Sequence, residues 1–285
     1  MTTKNPTPAM SPASKSPVNE GARRSASAML NKVPEVFLLF WVVKIFSTTV
    51  GETAADFLAS NVGLGLTGTS LIMAGLTAVA LAFQFRARRY VPAIYWACVV
   101  LISIMGTLIT DNLVDNFGVS LWTTTFAFSA ALAATFAAWF RSERTLSIHT
   151  ILTSRREGFY WSAILLTFAL GTSAGDLFGE KLALGYLPSA GLFGLLIALV
   201  PLAHLKGGLN AVLAFWTAYI LTRPFGASVG DYLTQAPADG GLGLGANATS
   251  GLFLVVIVAA VAWFTSQQRK ADALQTSAAT EVVTA

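Results

Sequence analysis

The chain aligns with itself four times, and this recurrence limits its fold more than any other feature. An aromatic residue followed by tryptophan occurs as FW at 40–41, YW at 95–96, YW at 160–161 and FW at 215–216. Ten residues after Trp41, Trp96, Trp161 and Trp216 stand Gly51, Gly106, Gly171 and Gly226. Fifteen residues after them stand Asp56, Asp111, Asp176 and Asp231, four of the seven aspartates in the chain. No gap is needed inside any unit. The tryptophans are 55, 65 and 55 residues apart, which suggests a hairpin duplicated once and then duplicated again as a pair. Regular self-similarity of this kind marks an array of one supersecondary unit.

Composition identifies the medium. Hydrophobic residues make up 54% of the chain and charged residues 11%, against about 25% charged in a soluble domain. A membrane span needs about 20 mostly apolar residues. Eight stretches qualify: 35–59, 66–85, 91–114, 119–140, 158–180, 185–204, 210–234 and 247–266. With two spans per unit, all four units run the same way through the bilayer, as parallel repeats. The expected fold is an all-α membrane protein of eight transmembrane helices. Its four two-helix repeats cover about 34–89, 90–145, 155–206 and 210–267, with polar odd helices inside and apolar even helices outside. Residues 1–33, rich in Pro, Ser, Ala and Thr, and residues 268–285 read as disordered tails.

Basic residues fix an orientation. Fifteen of the 18 Lys and Arg lie in the N-terminal tail, in the loops after even spans, or after the last span. The opposite loops hold only Lys181, so both termini are expected on the cytoplasmic side. The net charge of +4 is therefore topological, and no nucleic-acid partner is expected.

The repeat positions carry the chemistry. Small residues recur one turn apart in Gly51-Ala55-Ala59, Gly106-Thr110-Val114, Gly171-Gly175-Gly179 and Gly226-Gly230-Thr234, a spacing that lets helix backbones approach closely. The tryptophans read as an interfacial belt, with an inward plug as the alternative. Positions eleven, fifteen and nineteen after each tryptophan give Glu52-Asp56-Ser60, Thr107-Asp111-Asp115, Thr172-Asp176-Glu180 and Ala227-Asp231-Gln235. Residues four apart share a helix face, so each inner helix presents a row of oxygen ligands, and four rows would form an acidic vestibule. The aspartates could instead sit at the interface and face water. Lys44 and Arg223 lie deeper on the same rows, and each is expected to meet a carboxylate, Glu52 foremost. Five carboxylates against two cations leave a formal excess of three negative charges in the spans, to be relieved by a bound cation or by protons. Pro224 makes the seventh span the expected moving or broken helix, with Pro188 acting similarly near the start of the sixth.

The segment KVPEVFLLFWVVKIFSTTVGETAADFL, with the four tryptophan units, resembles a family of bacterial membrane proteins of uncharacterised function. That family is built from four tandem two-span repeats, each with a characteristic tryptophan. The resemblance covers about residues 32–267. It implies the fold and a place in a bacterial inner membrane, and brings no activity with it.

Several chemistries are excluded. Cys98 is the only cysteine, and His149 and His204 lie near span ends, so no soft-metal site or disulfide is available. There is no Walker-type phosphate loop and no nucleophile–base pattern, so neither an enzyme nor a cofactor is expected. The expected function is a secondary transporter of a small cation, with divalent metals among the candidates, coupled to protons. Glu52, Asp56, Asp111, Asp176, Asp231, Asp115 and Glu180 would bind the ion or proton, the first five also serving for a metal, with Lys44 and Arg223 as charge partners. The alternatives are a proton-coupled transporter of a small organic solute and a non-transporting scaffold. The expected partners are the lipid bilayer and a small cation or proton, with a homo-oligomer left open.

Overall fold

The computed structural model describes residues 31–284. Among these the fold is all helical, with eight long helices and no strand. They are α1 (Leu38–Asp56), α2 (Gly65–Arg86), α3 (Pro92–Asp111), α4 (Leu121–Glu143), α5 (Ser154–Asp176), α6 (Tyr186–Gly207), α7 (Ala211–Thr234) and α8 (Ala246–Thr284). One helix falls on each expected span. Seven are long and apolar enough to cross a membrane, which makes this a multi-pass membrane protein. The exception is α7, whose 24 residues include Arg223, Pro224 and Asp231.

Three local expectations are corrected. The C-terminal tail read over 268–285 is helix as far as Thr284, because the chain beyond Trp263 has no Gly or Pro to stop it and is rich in helix formers. Most of the N-terminal tail read over 1–33 lies outside the described residues. Asn31, Lys32 and Val33 are buried, and the Lys32 ammonium pairs with the buried Glu157 carboxylate at 2.7 Å. α7 is unbroken at Pro224. Its proline lies against Gly171 and Gly175 of α5, so the small stripe of the third repeat makes room for Arg223 and Pro224 of the fourth. Pro188 is in the first turn of α6, where no intrahelical N–H bond is required.

The odd helices close a ring: α1 packs on α3, α3 on α5, α5 on α7, and α7 back on α1. The four repeat glycines explain how they come so close. A Cβ at Gly51 would overlap Ser103, one at Gly106 would overlap Phe168, one at Gly171 would overlap Arg223, and one at Gly226 would overlap Thr48. Each partner stands seven residues after the tryptophan of the next repeat, so a single contact recurs four times around a pseudo-fourfold axis.

The even helices pack one step out of phase with the sequence repeat. α2 lies along α3, α4 along α5, α6 along α7, and α8 along α1. The second helix of each repeat thus buttresses the first helix of the next, and α8 closes the circle by returning to the first repeat.

Candidate functional site

Each inner helix carries one row of residues four apart, and the four rows meet in layers. At one end, called here the Asp end, the outermost layer is Ser60, Asp115, Glu180 and Gln235, of which the first three are exposed. One turn deeper, Asp56, Asp111 and Asp176 are half-buried and Asp231 is buried. The next layer, Glu52, Thr107, Thr172 and Ala227, is buried throughout. Accessibility therefore falls layer by layer, so the polar rows form a funnel of decreasing exposure towards Glu52. The ring aspartates are electrostatic neighbours of Glu52, and Asp111 of Asp56, Asp176 of Asp111 and Asp231, and Asp231 of Asp56. None of the described ion pairs involves a ring aspartate.

Arg223 closes the floor. Its side chain is 0% exposed, and its Nη2 lies 3.0 Å from Glu52 Oε2. The same nitrogen donates to Thr172 Oγ1 at 2.7 Å and to Thr107 Oγ1, while Nη1 donates to the Thr48 carbonyl at 3.0 Å and Nε to the Phe168 carbonyl at 3.2 Å. Thr107 Oγ1 donates in turn to Glu52 Oε2 at 3.1 Å. One guanidinium thus ties together all four inner helices. Three of the four residues at position eleven hold it or its counter-ion; the fourth is Ala227, on α7 beside the arginine.

Lys44, expected to meet an acid, does not. None of the described ion pairs includes it. Its ammonium donates to the Tyr219 carbonyl at 3.0 Å and to Thr222 Oγ1, and lies 4.4 Å from the Tyr219 ring centroid and 5.3 Å from that of Phe168. Carbonyl, hydroxyl and ring faces replace the carboxylate, while Arg223 takes Glu52.

Beyond Lys44, at the Trp end, aromatic rings fill the core. The residue before each tryptophan packs on the tryptophan of the next repeat: Phe40 on Trp96, Tyr95 on Trp161, Tyr160 on Trp216 and Phe215 on Trp41, with ring centroids 5.7, 5.5, 6.2 and 5.6 Å apart. Trp96, Trp161 and Trp216 are buried, and Trp41 is half-buried. The belt reading is therefore corrected in favour of the inward plug: each ring is drawn into the neighbouring repeat by its aromatic partner.

Two features were not foreseen. In α1, α3 and α5 the residue after the ring aspartate begins a π-turn, Phe57–Asn61, Asn112–Asn116 and Leu177–Lys181, whereas α7 continues as regular helix past Asp231. Such widened turns recur at functional sites, and no residue type announces them here. The second is a cavity of about 660 Å³ between α1, α6 and α7, lined by Trp41, Phe215, Val200, His149 and His204 and reaching Thr222, the hydroxyl that holds Lys44. The seats beside other tryptophans are filled by outer-helix aromatics, Phe264 beside Trp96 and Phe136 and Trp139 beside Trp216.

The proposed metal set does not form a compact centre. Among the described residues, no three of His, Cys, Asp and Glu are placed to hold a metal ion. Glu52 is engaged by Arg223 and the two threonines, and the aspartates are spread over four helices.

Comparison with known proteins agrees with the internal repeats. The Repeat of Unknown Function (DUF347) matches at residues 39–90, 94–145, 159–206 and 214–270, so the chain belongs to that family. No curated protein and no solved structure matches it.

Proposed function

We propose that this four-repeat member of the DUF347 family is a secondary transporter of a small cation, coupled to protons. The observation that carries the reading is the funnel of ring aspartates, none of them in a described ion pair, that ends on the buried Arg223–Glu52 pair. The polar inner helices line the path and the apolar outer helices face lipid. A cation entering from the Asp end meets the aspartate ring first. It or a proton then competes with Arg223 for Glu52, while Thr107 and Thr172 keep hold of the guanidinium. Carboxylate and hydroxyl oxygens suit protons and hard cations. The spread of the aspartates favours a monovalent or hydrated ion over a directly ligated divalent metal. The basic loops support an orientation with the Trp end and both termini on the cytoplasmic side of a bacterial inner membrane.

A second reading, transport of a small organic solute, is favoured by the lateral cavity of about 660 Å³, within the range of roughly 300–1,000 Å³ typical of small-molecule sites.

The test is uptake and efflux in proteoliposomes with a panel of cations, with and without a pH gradient. Wild type is compared with Glu52→Gln and Asp176→Asn. Cation flux that moves protons and is lost in both variants supports the transporter. Folded protein with no flux for any cation removes the cation reading and leaves the organic solute or a scaffold.

A further inference from the structure

The aromatic plug is not purely apolar, because four of the chain's six tyrosines gather in or against it. Tyr95 and Tyr160, from neighbouring repeats, share a hydrogen bond of 2.6 Å between their hydroxyls. Tyr219 is an electrostatic neighbour of both, and Tyr90 of Tyr95 and Tyr160. Tyr95, Tyr160 and Tyr219 are all fully buried.

The arrangement has a direction. Lys44, buried beside α7, lies over the Tyr219 ring. The Tyr219 hydroxyl is buried without a protein partner among the described residues, as is the Trp161 indole N–H. Buried polar atoms without partners are the usual seats of ordered water. At the far end, Tyr90 Oη accepts from Trp96 Nε1 at 3.1 Å, which leaves the Tyr90 proton free to be given outward. Burial pushes the Tyr90 phenol above its ordinary range, so it serves as a hydroxyl and not as a phenolate. Tyr90 belongs to the short segment between α2 and α3, is half-buried, and its backbone N–H bonds to the Asn31 carbonyl.

We propose that Tyr219, Tyr160, Tyr95 and Tyr90, bridged by internal water, form a proton relay that carries protons from Lys44 through the aromatic plug to the Trp end. The inference rests on the transport reading and supplies its missing half: the carboxylate funnel serves the Asp end, and the tyrosines serve the other. A phenol both donates and accepts. Each hydroxyl releases its own proton onward as it accepts one from the previous group, so no phenolate is left behind and no bond other than O–H or N–H changes. Lys44 begins the sequence by giving a proton as the neutral amine forms, and regains one from the funnel side. The charged groups near this stretch include Lys44 on α1 and Arg223 on α7, the latter paired with Glu52, and, at the Trp end, the buried pair of Lys32 with Glu157 on α5. A plug made only to seal would be better served by phenylalanine, which stands at the corresponding positions 40 and 215.

The test uses the full chain in proteoliposomes loaded with a pH-sensitive dye, with sodium and potassium gradients as the driving probes and isotopic sodium and rubidium to follow the cations. Wild type is compared with Tyr160→Phe, Tyr95→Phe and Tyr219→Phe, which keep the rings and remove one hydroxyl each; thermal unfolding confirms that each variant is folded. The expected result is a loss of proton flux of at least ~10-fold in Tyr160→Phe, a slower wild-type proton flux in D2O, and cation entry uncoupled from protons. Proton flux at the wild-type level in all three variants overturns the relay and leaves the transporter standing. Wild-type cation flux without proton movement overturns the relay together with the proton coupling and leaves only cation transport standing. No flux of protons or cations in wild type overturns both.

Discussion

Replacing Glu52 by glutamine tests the centre of the ring most directly. The change keeps the shape of the side chain and removes its charge. It leaves Arg223, which is 0% exposed, as a buried cation with only neutral partners. Breaking a buried ion pair from one side costs about 3–5 kcal/mol. The Thr48 and Phe168 carbonyls and the Thr107 and Thr172 hydroxyls still accept from the guanidinium, and the glutamine carbonyl can join them. The cost should therefore fall near the lower limit, about 3 kcal/mol. For a domain of this size that corresponds to a fall in Tm of roughly 6–12 °C. Removing both charges, in Glu52→Gln/Arg223→Met, leaves no orphaned ion, and a buried pair replaced by neutral groups is often nearly neutral for stability. The double variant should therefore recover at least half of the loss, with a coupling energy of about 2–3 kcal/mol in the cycle. The assay is thermal unfolding of wild type, both single variants and the double variant in one detergent. If the double variant is no more stable than Glu52→Gln, the pair is not what holds the four helices at this level. If Glu52→Gln unfolds like wild type, the guanidinium does not depend on the carboxylate at all.

The other predictions use the same assay with different readouts. Lys44→Met removes a buried cation that has no acid partner among the described ion pairs, so it should unfold at or above the wild-type temperature while abolishing coupled transport; a large destabilisation would show that Lys44 is paired with an acid in the folded protein. Gly106→Ala places a methyl against the Phe168 and Ala169 backbone and should cost about 1–3 kcal/mol. Gly75→Ala, with open space around it, should be neutral or gain up to about 1 kcal/mol; equal effects would refute the close packing of α3 on α5. Lys32→Met leaves Glu157 buried with Gln84 as its remaining side-chain partner and should free the segment before α1. Limited proteolysis near residue 33 reads this directly, and wild-type resistance would show that the segment is held by other contacts.

The sequence by itself determined the helical class, the number of repeats and where the helices lie. These follow from local properties: apolar runs long enough to span a bilayer, and a spacing repeated without gaps. The matched family segments at 39–90, 94–145, 159–206 and 214–270 fall within a few residues of the units counted from the four tryptophans. The charges of the site were also visible, because ionisable residues are few in such spans. What could not be read was which side chains they would meet. Lys44 and Arg223 looked equivalent as cations on the acid-bearing rows, yet only Arg223 reaches Glu52, because α7 lies beside α1 in the ring and the glycine at 171 admits the arginine stem.

The tyrosine cluster had a faint signal in the two YW pairs, since the residue before each tryptophan continues the same row of every fourth residue. Their pairing across repeats had none. The out-of-phase packing of the outer helices and the π-turns after three of the four aspartates were equally hidden. Periodicity is a property of one segment and survives in the linear chain. Partnership, closure and the space left for a side chain belong to surfaces that exist only once separate helices have been brought together, and there the tertiary structure alone decides.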